Sequence, residues 1–223
     1  MQANYKQRLR MRFSKDGPAR FISHLDLSRT LERALNRAQI PIAYTQGFNP
    51  QPRMQFADAL PLGLTSDCEI VDFWLKVKIE TEETLSALKA KMASGIGVIS
   101  IEEVAVSAPP LQTITKFAEY RVTLSDEFTA EMIEAKVDAL LETPTIPRLR
   151  RNKQYDLRPL VLGLNVISHK SDSVELAMKM SLEPGRTGRP DEVLKALNID
   201  PLGARIHRTN LILAETENDD EPS

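Results

Sequence analysis

Cysteine is almost missing from this chain of 223 residues: Cys68 stands alone. A single thiol excludes an internal disulfide, a cysteine-rich zinc site and the thiolate set an iron–sulfur cluster needs. Histidine is scarce too, and the three copies, His24, His169 and His207, have no local metal-ligand spacing. Aromatic residues make up only 5%, so base stacking cannot be the main source of any affinity for nucleic acid. No apolar run approaches the roughly 20 residues that span a bilayer, and Met1-Gln2-Ala3-Asn4-Tyr5-Lys6 lacks the apolar stretch of a secretory leader. There is no lysine-bearing phosphate loop of the nucleotide-hydrolase kind, and no Ser, His and Asp order that suggests nucleophilic catalysis. The expectation is a cytoplasmic globular protein without metal or cofactor.

What is present is charge, unevenly spread. The net charge of −2 hides blocks: residues 1–53 hold 10 Lys and Arg against 3 Asp and Glu, 54–143 hold 7 against 16, 144–208 hold 12 against 7, and 209–223 hold 0 against 5. If folding brings the two basic blocks together, they make a positive surface of the kind that attracts phosphates. A hydrophobic share of 42% is enough for one good core or two small ones.

Residues 7–14 alternate, with Leu9, Met11 and Phe13 on one side and Arg8, Arg10 and Arg12 on the other, which predicts a half-buried strand with a basic open face. Ser23 and Asp26 signal a helix start. Behind them Leu27, Leu31, Ala34, Leu35 and Ala38 repeat at helical spacing, while Arg29, Arg33 and Arg37 recur on the other side, up to a stop at Pro41. Strands are expected at 54–59, 68–79 and 97–107, with a helix capped by Thr81. Pro109-Pro110 reads as a hinge. Strands at 115–124, 174–182 and 204–213, extended segments at 146–151 and 156–168, and helices at 129–141 and 191–197 follow. The order predicts an α+β chain of two tandem ferredoxin-like (βαββαβ) units with antiparallel sheets, residues 1–108 and 112–214, and a disordered acidic tail at 215–223.

Residues 20–53 are densest in polar and special-backbone types, ending in the loop Gln46-Gly47-Phe48-Asn49-Pro50-Gln51-Pro52-Arg53. Arg20-Phe-Ile-Ser-His-Leu-Asp26, this loop and Leu60-Pro61-Leu62-Gly63 resemble the radical SAM-linked protein family, as do Tyr155-Asp-Leu-Arg-Pro-Leu160 and Arg205-Ile-His-Arg-Thr209. Gln51 departs from the pattern, which carries a histidine there. The resemblance implies a radical SAM protein as partner and carries no established activity.

Arginine forks suit phosphates, and aromatics stack on unpaired bases. Candidate RNA contacts are therefore Arg20, Arg29, Arg33 and Arg53 in the first half and Arg151, Arg158, Arg186, Arg189, Arg205 and Arg208 in the second. Arg8, Arg10, Arg12 and Arg37 are further cationic candidates, and Tyr44, Phe48 and Tyr155 possible stacking surfaces. Ser23, Asp26, Gln46, Asn49 and His207 are candidates for reading the target. Gly185-Arg186-Thr187-Gly188-Arg189-Pro190 is a candidate phosphate cradle ahead of the last helix. His24 is the candidate general acid or base. The expected function is a non-hydrolytic accessory protein that binds tRNA or rRNA for the radical SAM partner; an RNA-processing enzyme using His24 and an interaction subunit without RNA are the alternatives.

Overall fold

Alternation at the start of the chain gives β1 (Gln7–Lys15), with Leu9, Met11 and Phe13 buried. Its other face is not open, because Asp72 pairs with two of its arginines: Arg8 at 2.6 Å and Arg10 at 2.9 Å. Arg8 is buried and also donates to the backbone oxygens of Ala108 and Pro109. The segment expected to be a hinge is thus fastened to β1. The structure is a computed structural model that describes residues 5–125, 127–150, 152–170 and 173–214; the acidic tail expected at 215–223 lies outside them.

The predicted helix start is present. Ser23 caps α1 (His24–Arg37), accepting from the Asp26 amide and donating to the Asp26 carboxylate at 2.7 Å. Pro41 does not end this helix. Gln39 takes a left-handed conformation, φ 57°, and Ile40 N–H closes onto Leu35, a Schellman stop. After α1 come β2 (Met54–Phe56), β3 (Thr65–Leu75), α2 (Thr81–Lys91) and β4 (Ile96–Val104). The second half holds α3 (Leu111–Ile114), β5 (Thr115–Leu124), α4 (Ala130–Glu142), the hairpin β6 (Pro147–Arg150) and β7 (Lys153–Asp156), β8 (Val161–Lys170), β9 (Ser173–Glu183), β10 (Arg186–Thr187), α5 (Pro190–Ala196) and β11 (Arg205–Leu213).

This is an α+β chain in which nine strands form one large, mostly antiparallel sheet in the order β10-β9-β5-β11-β3-β1-β4, with β2 on β3 and β8 on β9. The two sheets expected from the sequence are continuous, since β11 pairs in parallel with β3 at His207 and Arg208. Two hydrophobic clusters flank that seam. One gathers α1, α2, β1 and Val71, Phe73 and Leu75 of β3; the other gathers α4, α5, β5, β9 and Ile70 of the same strand. β3 therefore serves both cores.

At the seam lies a buried charged cluster. Arg208, fully buried, binds Glu69 of β3 at 3.0 Å, Asp58 of the loop before β3 at 2.5 Å and the Tyr120 hydroxyl of β5 at 3.0 Å. Burial opposes the Arg208 charge, but Glu69, Tyr120 and Asp58 outweigh it and hold the pKa well above the ordinary range. Lys15 is buried nearby, donates to the Ile22 carbonyl at 3.4 Å, and burial lowers its pKa against the pull of Glu69.

Burial pushes the Cys68 thiol from 9.0 up to about 11, opposed in part by the Ser66 hydroxyl. The reactive species is the thiolate, so the folded chain should alkylate with iodoacetamide at pH 8 on the order of 100-fold more slowly than the unfolded chain. A raised thiol pKa favours the neutral form when folded, so this contribution to stability is complete below pH 9 and is lost as pH climbs from 9 through about 11. Equal alkylation rates in buffer and in denaturant would refute this.

Candidate functional site

Arg20 sits in the 3-10 turn Gly17–Phe21, and its carbonyl accepts from the Gly63 amide at 2.8 Å. Gly63 adopts φ 87°, which glycine enters without a Cβ clash, and this bond draws the Leu60–Gly63 stretch against the turn. Opposite them Asn198, φ 57°, stops α5, and Asp200 accepts from the Leu202 amide to shape the turn into β11. Between these walls is a cleft of about 880 Å³, lined from the first half by Arg20, Phe21 and residues 61–65 and from the second by Arg189, Asp191, Lys195 and residues 200–206.

The cleft joins the two basic blocks. Four cations line it, Arg20, Arg189, Lys195 and Arg205, against two carboxylates, Asp191 and Asp200. Asp191 holds Arg189 in a two-pronged bond at 2.8 and 3.2 Å. Burial opposes the Arg189 charge, and Asp191 more than offsets it, so the pKa is raised. Lys195 is raised first by its 2.7 Å hydrogen bond to Glu192. The Arg20 guanidinium lies 4.6 Å from the Phe21 ring. Among the described residues neither Arg20 nor Arg205 has a carboxylate partner, so these two keep their full pull on an anion. Phe21, Leu62 and Leu202 are exposed at the rim.

The other candidates are placed differently. Arg208 is fully buried among carboxylates and cannot reach a phosphate, and Arg158, half-buried, donates to the Leu141 and Val161 carbonyls. The Gly185–Pro190 stretch does not form the expected cradle. Gly185 turns β9 into β10, Arg186 stands beside Glu183 at 3.7 Å, and Gly188 packs where a Cβ would meet Leu160 and Met180, so of that stretch only Arg189 reaches the cleft. His207 is held between Thr65 at 2.8 Å and Asp67 at 2.9 Å. Ser23 and Asp26 are occupied in capping α1. Arg29 lies 3.6 Å from Asp26, Arg33 is exposed along α1, and Arg37 donates to the Lys91 carbonyl. Gln46 and Phe48 are exposed at the loop tip, where Asn49 accepts from Gln51 at 3.2 Å. Tyr44 donates to Glu32 at 3.0 Å and packs on the first core. Arg151 lies outside the described residues.

His24 lines a second, smaller pocket of about 240 Å³ with Arg53, Met54, Gln55, Phe56, Trp74 and Gln112. Its ring meets Phe56 edge-on at 4.6 Å. Among the described residues no carboxylate orients this imidazole, which an acid–base role would call for. Phe21 and Lys195 escaped the sequence reading. Phe21 follows Arg20 in the same polar turn, which was a usable signal; Lys195 sits on a short helix and became relevant only when the halves met.

Residues 8–190 match the model of a family described as "Uncharacterized protein conserved in bacteria (DUF2344)". This chain belongs to that family. No protein of curated function matches it. A solved structure titled "Crystal Structure of an Unknown Protein from Galdieria sulphuraria" is 13% identical over 94% of this chain and 99% of its own, at a TM-score of 0.27. Membership in this family assigns no chemistry and names no radical SAM protein. Among the described residues no three His, Cys, Asp or Glu converge to hold a metal ion, and no helix is long and apolar enough to cross a membrane.

Proposed function

We propose that this chain is an accessory RNA-binding protein that holds tRNA or rRNA in the cleft between its halves for a radical SAM partner. The observation that carries the reading is the convergence of Arg20 with Arg189, Lys195 and Arg205 on one cleft, with Arg20 and Arg205 lacking a carboxylate partner among the described residues. Phosphate oxygens recognised by guanidinium forks, with Phe21 at the rim for a splayed base, suit that arrangement. The radical SAM partner rests on the resemblance of Arg20–Asp26 and Leu60–Gly63 to the radical SAM-linked proteins, and residues of both stretches line the cleft.

We read each half as a ferredoxin-like unit. Supporting this, β1 lies between β3 and β4 with β2 on β3, and β5 lies between β9 and β11 with β8 on β9. Both are the antiparallel pattern of a split βαβ.

The test is binding of fluorescently labelled tRNA and rRNA fragments to the full chain across a salt series. Affinity should fall steeply with salt, and the double variant Arg20→Ala/Arg205→Ala should lower the log–log slope by about two, one for each phosphate contact removed. An unchanged slope in the double variant, or no binding at low salt, would reject the cleft as an RNA site. Pull-down from the native host should recover a radical SAM protein; its absence would remove that partner.

A further inference from the structure

We infer that the smaller pocket, between His24 and Trp74, takes a single unpaired nucleobase. The inference rests on the RNA reading and extends it from backbone to base. At about 240 Å³ the pocket falls below the roughly 300–1,000 Å³ of sites for drug-sized ligands, so its occupant is one small ring system. Its lining is dominated by groups that make directional hydrogen bonds: the imidazole of His24, the amides of Gln55 and Gln112, and the guanidinium of Arg53. An unpaired base is recognised by this combination of flat stacking partners and edge-directed polar groups, and a single glutamine amide can hold an adenine edge with two hydrogen bonds.

Two features make the pocket more than a surface dent. First, its aromatic wall is fixed. Trp74 is nearly buried, and two guanidinium groups lie over its ring, Arg8 at 4.7 Å and Arg53 at 5.0 Å. Arg8 is locked by Asp72, whereas Arg53 is exposed, its guanidinium lying over the Trp74 and Tyr5 rings without a hydrogen bond or ion pair among the described residues. The planar Arg53 group is therefore free to shift and stack on an incoming base. Second, Gln55 is oriented: its Oε1 accepts from the Leu111 amide at 3.1 Å, which fixes the amide plane and leaves Nε2 without a partner among the described residues. His24 likewise keeps its ring nitrogens without a hydrogen bond among those residues. These unused edges converge on one small volume. The segment Arg20–His24 lines both sites, with Arg20 and Phe21 in the cleft and His24 in the pocket, so a strand whose phosphates lie in the first can turn a base into the second.

Trp74 is the one tryptophan in the chain, so its fluorescence reports on this pocket alone. The full chain is titrated with AMP, GMP, CMP and UMP, and with ribose 5-phosphate as the baseless control. A saturable change in Trp74 emission is expected with at least one nucleotide and none with ribose 5-phosphate. Gln112→Ala, at an exposed position where folding is not at stake, and Gln55→Ala should each weaken that response on the order of tenfold without altering the salt slope for labelled RNA. No saturable change with any nucleotide, an equal change with ribose 5-phosphate, or full response in both glutamine variants would overturn the base site. Salt-sensitive RNA binding with unchanged Trp74 emission would reject the pocket and leave the cleft standing. A nucleotide response without RNA binding would keep the pocket and reject the RNA reading.

Discussion

Arg208→Met should destabilise the chain by about 3–5 kcal/mol, read as a lower denaturation midpoint at unchanged slope. Arg208 is fully buried against Glu69, itself 2% exposed, and Asp58. Removing the cation leaves a carboxylate buried with no counter-charge beyond the neighbouring Lys15, and the loss comes mainly from that stranded charge. The triple variant Arg208→Met/Glu69→Gln/Asp58→Asn should recover most of the stability, since polar amides replace the unpaired charges. If the single variant unfolds like the parent, the cluster does not hold the seam between β11 and β3. The location gives the prediction its reach: Arg208 sits where the two halves of the sheet join, and both walls of the cleft descend from that seam.

The second large effect is at Asp72, whose carboxylate serves Arg8 and Arg10 and is completely buried. Asp72→Ala should cost about 3–5 kcal/mol, because Arg8 is left buried and unpaired. Arg8 also holds the Ala108 and Pro109 carbonyls, so the variant should be cut faster by a protease of broad specificity within residues 105–110, an outcome that Arg208→Met should not share. Asp72→Leu/Arg8→Met, which removes both charges, should be markedly more stable than Asp72→Ala alone. Unaltered proteolysis between the halves would show that the linker is held by something other than Arg8.

Both effects concern arginines that the chain presents as surface residues when read linearly. Arg8 and Arg10 alternate with apolar partners, which in an isolated amphipathic strand puts them in water. Their acidic partner lies more than 60 residues away on β3, and nothing local announces it. Arg208 is a still longer case, with Asp58 and Glu69 about 140–150 positions distant. His207 met Thr65 and Asp67 across the same parallel pair. By contrast the Ser23–Asp26 cap was legible, because its bonds close within three residues, and so was the apolar stripe Leu27, Leu31, Ala34 and Leu35, because helical period is a local property.

The sequence by itself determined the mixed α+β class, the Ser23 cap of α1, the alternation of β1 and the absence of any thiolate cluster, since each depends on residue type and short-range spacing. Tertiary structure alone decided which cations remain available. Pairing β11 with β3 merged two sheets into one and left Arg20 and Arg205 lining one cleft, while long-range contacts put Arg8, Arg10, Arg37, Arg158 and Arg208 onto distant carboxylates or carbonyls. The reason is electrostatic: a buried charge is costly until matched, and its match is set by proximity in space, which the spacing of residues along the chain does not contain.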